Sequence, residues 1–459
     1  MKAGKIALFF AIVVAALAGV SVVFPSDGIA VGKHTYYLPT LGTLAESWEE
    51  GAGFSEECGV RSELMDSIQW LQSFADTSDL RFWLPDSLYL DAFWQAAESA
   101  AGRGTVLRVL HYGDSQIEMD RMSAQLRTFM QETFGGGGPG LIPFRTVIPS
   151  YAVRQSTSGE LAHLASFGDS TVVRSKGNYG PMMQCFRLAG GSSTATVTAT
   201  NVGFADSRVK RFSRVRLIYN NRGDSLRLVF ADREGSLRDT AGDSRQGVGS
   251  REWMLDSATS SFSLRVSGSA DLYGIAVDDG AGVAVDNIPM RGCSGPQFTT
   301  VNSQLLAQAY GELEVGLIIL QFGGNSVPYI QSTKAIENYC EAMGRQIDYI
   351  HRCCPQARIL FVGPSDMSTR VRDQLQTYPF LPALVDSLAA TATRHHAAYW
   401  SIYHAMGGFN AMVYWNRKGW AIDDYIHFSH RGAEMMGDRL VQALKDSYHL
   451  YRLRKRVGN

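Results

Sequence analysis

Hydrophobic and polar positions divide the chain into three textures. Over residues 86–101, Leu88, Leu90, Phe93, Trp94 and Ala97 recur at helical spacing and predict an amphipathic helix. Val106, Leu107, Val109 and Leu110 then form a short buried strand that breaks at Gly113. A second helix, 119–134, ends in the glycine-rich run 135–140. That run lacks the Gly-Lys-Ser/Thr ending of a phosphate loop and reads as a helix stop followed by a flexible loop. From about 150 to 280 the helical periodicity disappears. Short alternating segments at 194–200, 215–219, 226–230 and 262–266, separated by clusters such as Asn220-Asn221-Arg222-Gly223, predict a β-sandwich. After Asp286 strand and helix alternate again: strands at 315–322, 357–362 and 398–402, helices at 332–353, 380–395 and 431–449. The pattern predicts a three-layer α/β core with a parallel sheet, 83–150 and 281–450, interrupted by an inserted β-sandwich at 151–280.

The first 82 residues stand apart. Lys2 and Lys5 precede an uncharged apolar run, 6–24, closed by Pro25 and Ser26. It reads either as an uncleaved helix anchoring the protein in the inner membrane or as a signal peptide cleaved near Ala16-Leu17-Ala18. With the lysines on the cytoplasmic side, both readings export the remainder to the periplasm. Residues 27–82 read as a linker with one helix-like piece at 64–74.

Composition adds limits more than direction. A length of 459 residues, 45% apolar and 19% charged, suits two or more globular domains. The net charge of -1 argues against a nucleic-acid partner, and the basic tail at 451–459 (Arg452, Arg454, Lys455, Arg456) reads as a solvated face. Six cysteines are too few for a disulfide scaffold and match no zinc spacing. Cys353 and Cys354 stand where a helix would end before Pro355.

Candidate chemistry collects at four predicted strand ends: Gly113-Asp114-Ser115, Arg291-Gly292-Cys293, Phe322-Gly323-Gly324-Asn325, and Asp423-Asp424 through His427 to His430. A serine at the carboxyl end of a parallel strand is placed for nucleophilic work, because ligands bind along that edge. The tripeptide alone carries little: Gly168-Asp169-Ser170 repeats it with no buried strand before it and reads as a turn. The His427, His430, Asp423 and Asp424 cluster has metal-ligating residue types, but no further histidine motif joins it.

The four blocks, in this order and spacing, resemble those of the SGNH, or GDSL-type, hydrolases, which contribute Ser, Gly, Asn and His. The resemblance implies a flavodoxin-like α/β/α core and a Ser115, His427 and Asp424 triad without metal or organic cofactor. The oxyanion site it implies comprises the N–H groups of Ser115 and Gly292 and the amide of Asn325. Asp424 is favoured over Asp423 by its three-residue spacing to His427, and Gly295 rivals Gly292. The interruption between the Ser and Gly blocks is similar to the peptidoglycan O-acetylesterase branch, whose jelly-roll-like insert resembles a carbohydrate-binding fold. Departures are Gln116, where many relatives have His, and Pro289 and Cys293 in the second block. The implied partner is an O-acetylated glycan, with Gln116, Trp415 and Trp420 as candidate substrate contacts. A polysaccharide acyltransferase with the same triad and a non-catalytic glycan-binding protein are the alternative readings.

Overall fold

The computed structural model describes residues 29–31, 34–36, 82–168, 177–200, 202, 207–232 and 237–457. The chain divides into two units, residues 1–71 with 456–459 and residues 72–455. In the first, strand Ile29–Val31 pairs antiparallel with His34–Tyr36. The apolar run 6–24, the helix-like piece 64–74, Cys58 and the second serine tripeptide at Ser170 lie outside the described residues. The membrane anchor is corrected here. No helix among the described residues is long and apolar enough to cross a membrane, and the anchor takes no further part in the functional reading.

The second unit is a mixed α/β structure built on a six-stranded sheet. Its order is Gly282–Pro289, Val106–Gly113, Val315–Gln321, Arg358–Gly363, Ala398–Ser401 and Phe82–Trp83. All neighbours are parallel except the last pair. Because side chains alternate along a strand, neighbouring positions feed different layers. Val109, Leu317 and Leu360 pack under helices Asp91–Arg103, Ser123–Phe134 and His430–Val457. Leu110, Ile318 and Ile359 face helices Ser303–Gly311, Thr333–Cys353 and Leu381–Arg394.

The texture change near 150 corresponds to nine strands connected by hydrogen bonds, with a core that includes Val197, Leu217, Leu228, Leu264 and Leu272. The long strand Ser261–Asp278 organises them. Its first half lies between Leu226–Asp232 and Gln184–Ala199, and its second half pairs with Phe212–Asn221 and Gly140–Ile142. The strand at 140–142 precedes the expected start of the insert.

Three local expectations change. The glycine run is not a free loop: a Cβ on Gly136 would lie 2.6 Å from the Val283 carbonyl and one on Gly140 2.5 Å from Asp286, so only glycine lets this backbone approach the edge strand. The helix expected from 119 begins at Ser123, after a 3-10 turn, Ser115–Asp120. Met119, Asp120 and Met122 have left-handed φ values near +60°. Asp120 is held there by Arg127 at 2.9 Å and by the Ser150 hydroxyl at 2.6 Å. Finally, the basic tail continues the last helix to Val457, and Arg454 and Lys455 pair with Asp91 and Glu98. The described cysteines are buried and free.

Candidate functional site

Ser115 is positioned by the strand before it. Gly113 ends that strand opposite both Pro289 and Gln321. A Cβ at 113 would stand 3.0 Å from the Ile117 side chain and 3.1 Å from the Gln321 carbonyl, so a larger residue would press on both. Asp114 caps the turn: one carboxylate oxygen accepts the Gln116 N–H at 3.0 Å and the other accepts the Asn325 amide at 3.1 Å. Burial pushes the Asp114 carboxyl up to about 6, although these hydrogen bonds pull it down.

The Ser115 hydroxyl lies 2.8 Å from His427 Nε2, and His427 Nδ1 lies 2.6 Å from Asp424 Oδ2. A carboxylate accepts only, so the ring proton is on Nδ1 and Nε2 faces Ser115 as an acceptor. The other Asp424 oxygen accepts the N–H groups of Ile426 at 2.9 Å and His427 at 3.0 Å. Partial burial raises the Asp424 carboxyl, but the imidazole and these two N–H donors outweigh it and hold the group below the usual carboxylate range. Asp423 instead accepts from Asn416 at 3.1 Å, and His430 begins the last helix.

These groups border a cleft of about 200 Å³ whose lining includes Ser115, Asn325, His427 and Gln321, with apolar walls from Met367, Ile402 and Ile426. Tyr329, 81% exposed, stands on its rim. The sequence reading missed these wall residues, although Ile426 lies inside the Asp424 to His427 block and Tyr329 soon follows Asn325. Asn325 donates its amide to Asp114 and, at 3.2 Å, to the Cys293 carbonyl. Gly292 and Gly295 lie outside the cleft lining. The exposed Gly292 turn is tied to the serine segment by Arg291, whose guanidinium reaches both Glu118 oxygens at 2.6 and 2.7 Å.

The candidate substrate contacts are revised. Trp415 is 1% exposed, within the core, and donates its indole N–H to the Met406 carbonyl. Trp420 is half-buried against Trp415 and does not line the cleft. Short helix Ala411–Arg417 turns Trp415 inward, which aromatic composition alone does not reveal. Gln116 does reach the cleft, but it is 8% exposed and its amide donates to the Ile426 carbonyl at 2.9 Å.

Beneath the serine turn His111 is fully buried. The Gln321 amide oxygen only accepts, so His111 Nε2–H donates to it at 3.0 Å and the neutral ring's Nδ1 accepts from the Ser123 hydroxyl at 2.8 Å, while Ser123 Oγ accepts from Asn287 at 2.7 Å. Burial pushes this imidazole down to about 4, against the pull of the Gln321 bond. A depressed folded value means stability present above the unfolded value and lost as pH falls toward 4. Asp114 and Asp366, both pushed up to about 6 chiefly by burial, change in the opposite sense, so the test is comparative. Between pH 7 and pH 5 wild type is expected to lose about 2 kcal/mol more unfolding free energy than His111→Gln. Equal losses in denaturant titrations would remove His111 from this role.

The comparisons with known proteins agree with this architecture. The model of the GDSL-like Lipase/Acylhydrolase family matches residues 254–435, which include Asn325, Asp424 and His427. The second unit thus contains an SGNH/GDSL-type hydrolase domain, with extra strands beyond that core. A solved structure described as a peptidoglycan O-acetylesterase in action is similar in fold at a TM-score of 0.63 and 21% identity, covering 78% of this chain and 96% of that one. A family two carbohydrate esterase from Cellvibrio japonicus aligns over 65% of this chain and 99% of its own at 10% identity, with a TM-score of 0.26. No curated protein matches the sequence.

Proposed function

We propose that this protein is a serine esterase that removes O-acetyl or another small acyl group from a cell-envelope glycan, peptidoglycan foremost. The observation that carries the reading is the continuous hydrogen-bonded chain from Asp424 through His427 to Ser115 at the edge of the cleft. In this mechanism His427 Nε2 takes the hydroxyl proton as Ser115 Oγ attacks the ester carbonyl. Asp424 keeps the imidazole in its Nδ1–H tautomer and stabilises the imidazolium. The imidazolium proton passes to the sugar oxygen as its bond to the acyl carbon breaks, releasing the sugar hydroxyl and leaving an acyl-enzyme that water hydrolyses with His427 again as base.

The oxyanion is assigned to the Ser115 N–H and the Asn325 amide, whose residues line the cleft; Gly292, outside that lining, is left out of the assignment. The amide now donates to Asp114 at 3.1 Å and to the Cys293 carbonyl at 3.2 Å, so one of these bonds gives way when it turns to the oxyanion. Asn325→Ala is expected to lower kcat about 100-fold or more; near-normal turnover would take Asn325 out of the site. The glycan part of the proposal draws on the likeness to the peptidoglycan O-acetylesterase and on the rim position of Tyr329. The deciding experiment is mass spectrometry of O-acetylated peptidoglycan fragments incubated with wild type and Ser115→Ala. Loss of acetyl groups with wild type alone supports the reading, and unchanged fragments with both overturn the substrate.

A further inference from the structure

We propose that Gln116 is a positioning residue for the second half of the reaction, holding the His427 loop while Ser115 is esterified. The inference rests on the triad reading above. The backbone groups around His427 are largely satisfied by their own loop: its N–H bonds Asp424, and its carbonyl accepts from Ile422 at 3.0 Å. Tyr425, inside this loop, is held at a φ of 56°, a conformation that costs energy for an aromatic residue and relaxes unless restrained. Gln116 restrains it from the nucleophile's side. Its Nε2 donates to the Ile426 carbonyl at 2.9 Å, and its Oε1 accepts the Phe428 N–H at 3.5 Å, so one side chain spans both neighbours of His427. Gln116 is itself fixed by burial and by its own N–H bond to Asp114.

The proton inventory shows when this tether matters. During acylation the Ser115 hydroxyl bonds His427 directly at 2.8 Å. Once the Oγ–acyl bond has formed and the alcohol has left with the proton, Oγ has no hydrogen and that link is gone. Deacylation then requires His427 Nε2 to take a proton from water as the water oxygen attacks the acyl carbon. Collapse breaks the carbon–Oγ bond, the imidazolium proton returns to Oγ, and the free acid departs. In that interval the imidazole is held by Asp424 and by the loop that Gln116 grips. A displacement of about 1 Å at such a step costs on the order of 100-fold, so loosening the loop falls mainly on deacylation.

The test is pre-steady-state hydrolysis of p-nitrophenyl acetate by the full chain, with acetyl-enzyme followed by intact mass. Gln116→Leu removes both contacts; Gln116→Glu keeps the shape and the acceptor but, as a carboxylate, loses the donor to Ile426. In both, the deacylation constant is expected to fall about tenfold or more while acylation falls less than about threefold, so acetyl-enzyme accumulates. If Gln116→Leu does not fold, Gln116→Glu carries the measurement. Equal decreases in the two constants, or no change in either, overturn the proposal. Failure of the triad reading has a different signature: Ser115→Ala hydrolysing at the wild-type rate, with no acetyl-enzyme in any variant.

Discussion

Ser115→Ala is expected to lower the rate of acetyl-ester hydrolysis by about 10,000-fold or more while leaving the thermal midpoint within a few degrees. The magnitude follows from covalent catalysis: the hydroxyl oxygen is the atom that accepts the acyl group, and among the described residues Ser115, at 2.8 Å, is the side chain hydrogen-bonded to His427 Nε2. The small effect on folding follows because the turn is secured by neighbours. Asp114 caps it, Gln116 anchors it to the His427 loop, and Glu118 clasps Arg291. Acetate release from an artificial acetyl ester measures the first part and a melting curve the second. Equal rates for the two proteins would sink the esterase and transferase readings together.

The largest effect on stability is expected at Arg108. This guanidinium is 2% exposed, donates to Asp286 at 2.7 Å and pairs also with Asp278, which Arg214 contacts at 2.7 Å. Asp286 also accepts the Leu141 N–H at 2.6 Å. The cluster thus bonds the nucleophile's strand to its edge neighbour and to the end of the long strand of the insert. Arg108→Leu leaves the Asp286 carboxylate buried without its counter-charge and Asp278 with Arg214 alone, and about 3–5 kcal/mol of unfolding free energy should be lost. Burial already raises the Asp286 carboxyl, with Arg108 the main group pulling it down. Removing Arg108 raises it further, and a raised folded value means that stability is regained as pH falls through it. Denaturant titrations at neutral and mildly acid pH check both points. A loss below about 1 kcal/mol would show that the cluster adds no more than a surface pair.

Much of the site was legible because its signals are local. Val106, Leu107, Val109 and Leu110 mark a buried strand around Arg108, Gly113 marks its break, and the spacing of Asp424 to His427 suits one carboxylate holding one imidazole. The alternation after residue 286 likewise matched the strands and helices of the core. What escaped depends on contacts between distant segments. Nothing near Trp415 in sequence shows that its ring is turned inward onto Phe428 and Trp420. The hairpin of Ser368–Val371 with Gln374–Thr377 is held by Asp366 and Asn410 bonding Thr377, none of which has a propensity signature. The left-handed residues at 119, 120 and 122 are stabilised through Asp120 by Arg127 and Ser150, so a helical pattern there was overridden. Gln116 has the polarity of a substrate contact, and only the packed loop shows where its amide is committed.

The order of the core sheet also sets an order of assembly. Val106–Gly113 has two neighbours, Gly282–Pro289 and Val315–Gln321, and both follow the entire insert. A growing chain therefore carries an unpaired nucleophile strand until the inserted strands have been made. Most pairings of the insert are internal to it, so it can condense first, whereas long-range parallel pairing is slow to form. The insert's pairings therefore become available during synthesis before those of the nucleophile strand, and the core sheet can close only after both exits of the insert have emerged.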